Sequence, residues 1–297
     1  MKRTDMILRS MMFVPGHNNK LMHKSLESNA DALILDLEDS VQPLSNKAMA
    51  RETILHFAAE GMYEHRHVFP RVNDRDSGLL LEDISRLTVH SIDGFVIPKV
   101  CNAKDIVFVD LLLETLEYQK RFEIGTFKLV PLIETAAAVM NAMKICKASM
   151  RVIALAFGCE DFVADIEGSH GNHTPSRVLT TPRALIALAC RANGVIPIDT
   201  VHIDVHDLAD LKFSLALAKE LGFEGMLVLH PKELDLVHQY FTPGDQEIED
   251  AQEMIRLYEE AQKNNKGVAV VNGKFIGPPF VVAAKKLLSR KELIERG

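Results

Sequence analysis

The chain has 297 residues, a formal net charge of −7, 47% hydrophobic residues and 25% charged residues. That balance excludes bulk disorder and argues against a nucleic-acid or anionic-membrane binder, so the expected partner is a small molecule. The length allows one large domain or two ordinary ones.

In chain order, eight apolar runs read as strands: Ile7–Val14, Ala32–Leu35, His67–Val72, Gly94–Ile97, Lys128–Ile133, Val152–Phe157, Ile196–Val201 and Met226–Leu229. Between them, Leu79–Leu87, Ile106–Tyr118, Ala136–Cys146, Arg183–Ala192 and Leu208–Leu221 carry helical periodicity. Strand–helix alternation of this length predicts a (β/α)8 TIM barrel, with an open doubly wound sheet as the alternative. No G-x-G-x-x-G follows the first strand, which weakens the dinucleotide form of that alternative. The predicted barrel domain is 1–240, followed by an extension over 241–297. Within it Asp245–Lys263 reads as a helix after Thr242-Pro243-Gly244. Val268–Val271 and Lys274–Ile276 read as a hairpin around a type I′ turn at Asn272-Gly273, and Phe280–Arg290 as a last helix. No solenoid-period repeat and no low-complexity segment is visible.

The four cysteines, Cys101, Cys146, Cys159 and Cys190, form no C-x-x-C or zinc spacing. Scattered cysteines suit a reducing compartment. Lys2 and Arg3 precede an apolar stretch that Asp5 and Arg9 interrupt, so no signal peptide is read and the expected location is the cytoplasm.

The strongest chemical signal lies where strands end. Ala32–Leu35 runs into Asp36, Glu38 and Asp39, three carboxylates within four residues. Such acids repel one another unless a cation or hydrogen-bond donors offset the charge. The other strand ends present Arg71-Val72-Asn73, Pro98-Lys99, Glu134, Gly158 to Asp161, Asp199 and His230. In a barrel these gather on one face. Glu134 and Asp161 suit a hard divalent ion, because Mg²⁺ takes one or two carboxylates and completes its shell with water and substrate oxygens. Gly158 admits a close backbone approach, and the amides after it can donate to a carboxylate. Arg71 offers a permanent cationic fork for a developing oxyanion.

Each residue has a structural alternative. Glu160 and Asp161 also suit a helix N-terminus, and Arg71 an ordinary ion pair. Lys99 suits a salt bridge rather than a Schiff base, His230 a packed strand end, and Cys159 small-residue packing. His17, His23, His65, His67 and His90 have no metal-ligand spacing, and Ser10 and Ser40 no nucleophile elbow.

The motifs together resemble the citrate lyase β-subunit family, the acyl-CoA lyase branch of the HpcH/HpaI aldolase superfamily. The resemblance rests on Leu8-Arg9-Ser10 with Phe13-Val14-Pro15-Gly16, on Leu33 to Val41, and on Arg71-Val72-Asn73 and Pro98-Lys99-Val100. It continues through Leu132 to Ala136, Ala156 to Phe162, Ile198 to Val201, Leu229 to Lys232 and Phe241-Thr242-Pro243. It implies a (β/α)8 barrel with a C-terminal extension that packs either on its own barrel or on a neighbouring subunit, in a homotrimer or hexamer. It implies Mg²⁺, or Mn²⁺ in its place, and cleavage or formation of a carbon–carbon bond. The implied substrates are 3-hydroxy-acyl thioesters such as citryl, malyl or citramalyl, on coenzyme A or an acyl carrier protein. By position, Glu134 and Asp161 would hold the metal, and the amides near Cys159, Glu160 and Asp161 the 2-oxo-acid carboxylate. Arg71 would stabilise the thioester enolate, Lys24 would contact the carrier, and Glu38 and Asp39 would line the pocket or replace a missing base. The alternatives are an aldolase for free 2-oxo or hydroxy acids and a ligand-binding homologue without turnover.

The chain departs from the family at Asn18, where many relatives have Arg, at Asn19, where Pro is common, and at Gly277. Malyl- and citramalyl-thioester enzymes usually carry an Asp at the position of Gly277. Gly277→Asp is therefore expected to raise turnover of malyl- or citramalyl-CoA, since a general acid–base group contributes on the order of 10²-fold or more. No gain in an intact fold would mean that the site serves another substrate.

Overall fold

Strands that are apolar on both faces need cover on both, and the chain supplies it by alternating them with helices. The computed structural model describes residues 3–170, 176–264, 267–271 and 274–296. The parallel strands are β1 (Ser10–Pro15), β2 (Ala32–Asp36), β3 (His67–Val68), β4 (Gly94–Ile97), β5 (Lys128–Ile133), β6 (Ala154–Phe157), β7 (Ile196–Asp199) and β8 (Gly225–Val228). They pair in the order β3-β2-β1-β8-β7-β6-β5-β4. Ser10–Met12 of β1 lies beside Met226–Val228 of β8, which curls the sheet back on itself. The gap between β3 and β4 closes through isolated hydrogen bonds, among them the amide of Asp93 on Val68 O at 3.0 Å, and through a bridge at Arg71. Arg71 makes parallel bridges to both Asp36 and Val96. Its amide donates to Leu35 O at 3.0 Å, and the amide of Val96 donates to Pro70 O at 3.0 Å. The result is the (β/α)8 barrel that the alternation predicts.

The differences from the predicted boundaries have local causes. The run His67–Val72 is regular only over His67–Val68. Pro70 has no N–H to give a ladder, so pairing continues as single bridges at Arg71. The helix predicted over Ile106–Tyr118 spans Ala103–Lys120, because Asn102 and Asp105 form a capping box that starts it earlier. The helix Ala136–Lys147 starts where Thr135 caps the amide of Ala138.

Inside the barrel, Met11, Ile34, Phe69, Val96, Val130, Ile196 and Leu227 belong to one buried cluster. These inward side chains fill the barrel and leave chemistry to its rim. At the opposite end of β5 from Glu134, Arg151 is buried between acids. Its Nη1 and Nη2 donate to the two oxygens of Glu117 at 2.6 Å each, and its Nε donates to Asp110 at 2.5 Å.

The chain divides into two compact units, Met1–Val237 and His238–Gly297. In the second, the helix Asp245–Lys263 precedes an antiparallel pair, β9 (Ala269–Val271) and β10 (Lys274–Ile276), and the helix Pro278–Arg296. Tyr258, Ile276 and Val281 form its small core. The predicted turn Asn272-Gly273 lies outside the described residues. The last helix is longer than the predicted Phe280–Arg290, since its two leading prolines fit a first turn that needs no N–H. No helix of the described residues is long and apolar enough to cross a membrane, and all four cysteines are free thiols.

Removing one partner of a buried ion pair strands the other. Arg151→Met leaves Glu117 buried without its fork and should destabilise the chain by about 3–5 kcal/mol, read as a lower urea midpoint. An unchanged midpoint would mean that Glu117 is protonated or hydrated in the folded state.

Candidate active site

The β2 strand delivers Asp36 to the barrel rim with 2% of its surface exposed. A bare carboxylate would not be buried there, and Arg71 makes it tolerable. Arg71 Nε and Nη2 donate to the two Asp36 oxygens at 2.7 and 2.8 Å. Burial pushes the Asp36 carboxyl up, and the Arg71 guanidinium more than offsets this, so Asp36 sits below the usual carboxylate range. The same carboxylate accepts from the amides of Glu38 at 2.9 Å and Ser40 at 3.0 Å, which folds the chain into a turn after β2. Lys47, buried, supports that turn from behind by donating to the carbonyls of Leu37 and Glu38.

Arg71 has one nitrogen left. Nη1 lies 3.1 Å from Glu38 Oε2 and 3.5 Å from Asp39 Oδ2, and the guanidinium stacks 4.9 Å from the centre of the Phe13 ring. Arg71 is thus both an ion-pair residue and part of the wall of a cavity at the barrel rim. That cavity has a volume of about 460 Å³. Phe13, Leu132, Phe157 and Leu227 form its apolar side, while Asp39, Glu134 and Asp161 supply carboxylates.

Glu134 follows β5 and is buried at 3% exposure. Its Oε2 accepts the Lys99 amide at 2.7 Å. Gly158 follows β6, and a Cβ there would stand 2.5 Å from Glu134 Cγ. Only glycine leaves the Glu134 side chain its place. Burial pushes the Glu134 carboxyl up to about 7; the Lys99 amide and Arg71 oppose the rise, and Asp161 and Glu38 add to it. Asp161, exposed in the first turn of the helix Cys159–Asp165, has no side-chain hydrogen bond or ion pair among the described residues. Glu134 and Asp161 thus line one cavity, and among the described residues neither carboxylate has a salt bridge.

Other sequence expectations change in the fold. Glu38 does not line the cavity. Arg71 and Lys99 hold its two oxygens, with Lys99 Nζ 2.8 Å from Oε1, so it is buried in an ion-pair chain. Lys24 is exposed on the helix Asn19–Leu26 and does not reach the cavity, because the helix directs it outward. The Cys159 amide is not open for a ligand, since it donates to Thr200 Oγ1 at 3.2 Å. Burial pushes the Cys159 thiol up to about 12, as a packing residue requires. Glu160 lines the cavity and pairs with His170 at 2.9 Å. Asp199 is consumed by a buried pair with Arg183. His230 caps the turn that follows it by accepting from the Lys232 amide.

Sequence reasoning missed Thr200 and Lys47. Thr200 directly follows the strand-end Asp199, which was the available signal. Lys47 lies in the first turn of the helix Asn46–Ala59, where nothing local marks it.

The sequence model of the family described as HpcH/HpaI aldolase/citrate lyase matches residues 9–231. The chain is 32% identical over 283 residues to the citrate lyase subunit beta of Haemophilus influenzae, covering 95% of this chain and 96% of that one. It is 31% identical over 287 residues to a (3S)-malyl-CoA thioesterase of Cereibacter sphaeroides, covering 96% and 95%. Among solved structures, a citrate lyase from Burkholderia xenovorans superposes with a TM-score of 0.86 at 22% identity, covering 98% of this chain and 93% of that one. The CitE protein of Mycobacterium tuberculosis, in complex with magnesium, acetoacetate and coenzyme A, superposes with a TM-score of 0.77 at 22% identity, covering 97% and 100%. The structural likenesses support the barrel, and the sequence matches place the chain in the HpcH/HpaI aldolase/citrate lyase family, among its lyases.

Proposed function

We propose that this chain is a Mg²⁺-dependent carbon–carbon lyase that cleaves, or forms, a 3-hydroxy-acyl thioester such as citryl-, malyl- or citramalyl-CoA, with a 2-oxo acid and an acyl thioester on the other side of the reaction. The observation that carries this reading is the buried Glu134 wedged over Gly158 and facing the unpartnered Asp161, with Arg71 in the same cavity.

The donor set fits Mg²⁺. Both side chains offer hard oxygens, and the burial that raises Glu134 favours neutralisation by a cation or a proton. The described residues contain no cluster of three or more His, Cys, Asp or Glu that could hold a metal, so a softer, ligand-rich site is not built here. Glu134 and Asp161 would hold the ion, leaving its other positions to water and substrate. Bound there, Mg²⁺ supplies a Lewis acid that lowers the pKa of the substrate hydroxyl.

The chain's own residues do the rest. The hydroxyl proton leaves, its electron pair closes the new carbonyl, and the adjacent carbon–carbon bond breaks. Its electrons pass to the thioester as an enolate, and the proton taken from the hydroxyl is returned to the enolate carbon to give the acyl thioester. Arg71 Nη1 faces this charge. Asp39 is exposed and held only through Oδ2, 3.5 Å from Arg71 Nη1, so its other oxygen can take the proton, whereas Glu38 is held on both oxygens. The first-turn amides of Glu160 and Asp161 have no partner inside their helix and can receive the 2-oxo-acid carboxylate. The apolar wall of Phe13, Leu132 and Leu227 keeps water from the enolate. In this reading Lys24 contacts the carrier outside the cavity, the carrier being coenzyme A or an acyl carrier protein, and the protein assembles as a homo-oligomer.

The test is turnover of malyl-, citramalyl- and citryl-CoA with Mg²⁺ against an EDTA control, following the 2-oxo acid and the free thiol separately. EDTA-sensitive release of the 2-oxo acid supports the lyase. Free thiol without 2-oxo acid would instead make it a hydrolase like the malyl-CoA thioesterases. Glu134→Gln and Asp161→Asn should each lower 2-oxo-acid release by on the order of 10²-fold or more, and full activity in either would overturn the reading.

A pH dependence follows from Glu134. Its folded pKa of about 7 lies above the ordinary 4.5, so between those values the folded chain keeps a proton that the unfolded chain has lost. The stability this contributes is complete below the ordinary value and is lost as pH rises through the folded one. In EDTA, the urea midpoint of the wild type should therefore fall relative to Glu134→Gln as pH rises from about 4.5 to 7. Parallel midpoint curves would show that Glu134 ionises normally.

A further inference from the structure

Lys99 follows β4 at the barrel rim, and three features set it apart. Its backbone is left-handed, with φ 52°, a conformation that side chains other than Gly, Asn and Asp rarely adopt. Its amide donates to Glu134 Oε2 at 2.7 Å. Its ammonium lies 2.8 Å from Glu38 Oε1 and 3.1 Å from Asp74 Oδ2. The side chain is 48% exposed and borders a second cavity of about 330 Å³.

Folding does not account for this arrangement. A half-exposed ion pair adds little stability, and a left-handed lysine costs conformational free energy. Strain of this kind collects where a backbone group must point at one place. Here the left-handed residue is the one whose amide meets the carboxylate that is read as a metal ligand, with the chain turning away directly after it.

The ammonium has a separate effect. Glu38 lies between two cations, with Oε2 on Arg71 and Oε1 on Lys99. Arg71 is already matched on two nitrogens by Asp36. Were Glu38 to act on Arg71 alone, the guanidinium would meet two full carboxylates and present little positive field at Nη1. Lys99 shares the Glu38 charge and leaves that field to the cavity.

We infer that Lys99 is a positioning residue of the lyase site, whose left-handed backbone amide holds Glu134 and whose ammonium draws Glu38 off Arg71. The inference rests on the reading of Glu134 and Asp161 as the metal carboxylates and of Arg71 as the partner of the enolate.

The two arms separate by substitution. Lys99→Gly keeps the left-handed backbone and loses the ammonium. Lys99→Val disfavours the backbone as well. Mn²⁺ serves as the metal probe, its affinity read by electron paramagnetic resonance, and kcat and KM are measured with Mg²⁺. Lys99→Gly should bind Mn²⁺ within about twofold of wild type while kcat falls about 10-fold or more, with KM little changed. Lys99→Arg should restore most of the lost kcat, because its guanidinium can still reach Glu38. Lys99→Val should weaken Mn²⁺ binding by about 10- to 100-fold, which a merely structural lysine would not do.

An unchanged kcat in Lys99→Gly overturns the ammonium arm, and wild-type Mn²⁺ affinity in a folded Lys99→Val overturns the amide arm. Should Lys99→Val not fold, Lys99→Asn, which tolerates the left-handed region, still decides the ammonium arm together with Lys99→Gly. Failure of the underlying reading looks different: wild type and Glu134→Gln would then bind Mn²⁺ equally, or neither would bind it.

Discussion

The pair between Asp36 and Arg71 is the interaction on which the rest of the site depends. Arg71 closes the barrel with its backbone, bridging Asp36 on one side and Val96 on the other. Its guanidinium reinforces the Asp36 side with two parallel hydrogen bonds. The residue that completes the fold is therefore the residue that brings positive charge to the cavity. Neither partner can be removed without leaving the other buried and unmatched. Asp36 in turn ties down the amides of Glu38 and Ser40, so one ion pair sets the path of the chain that carries Asp39.

Around this pair, acids of one chemical type are separated by their surroundings. Asp36 is matched by a bidentate arginine and stays ionised below the usual range. Glu38 is buried beside Asp39, and burial pushes it up despite Arg71 and Lys99. Glu134 is buried with an amide donor but no bidentate cation of its own, and rises to about 7. The surroundings thus hold one carboxyl ionised and push the others up, and residues so perturbed gather at functional sites. Gly158 makes the last of these possible, because any Cβ would occupy the space of the Glu134 side chain.

Most of the fold was legible in the sequence because its signals are local. The strands Gly94–Ile97 and Lys128–Ile133 occupy the predicted residues, since each is a clean apolar run bounded by polar groups. The helices Leu208–Leu221 and Asp245–Lys263 likewise follow from periodicity and flanking caps. The one strand read much too long, His67–Val72, contains Pro70, whose missing donor outweighs the apolar pattern. The site was legible as a set of strand ends, because a barrel gathers those ends on one face whatever the details.

What the sequence by itself determined is the alternation of apolar strand and helix, the carboxylates, the glycine and the arginine at the strand ends, and the motifs that mark the family. What only the tertiary structure decided is which of those groups are consumed by one another. Asp199 is taken by Arg183, the Cys159 amide by Thr200, and both oxygens of Glu38 by Arg71 and Lys99; Asp161 is left open. These pairings join residues far apart in the chain, and their strength depends on burial. Spacing along a sequence carries neither the distance between strand ends nor the loss of water around them, and those two quantities decide which charges are neutralised and which remain for a ligand.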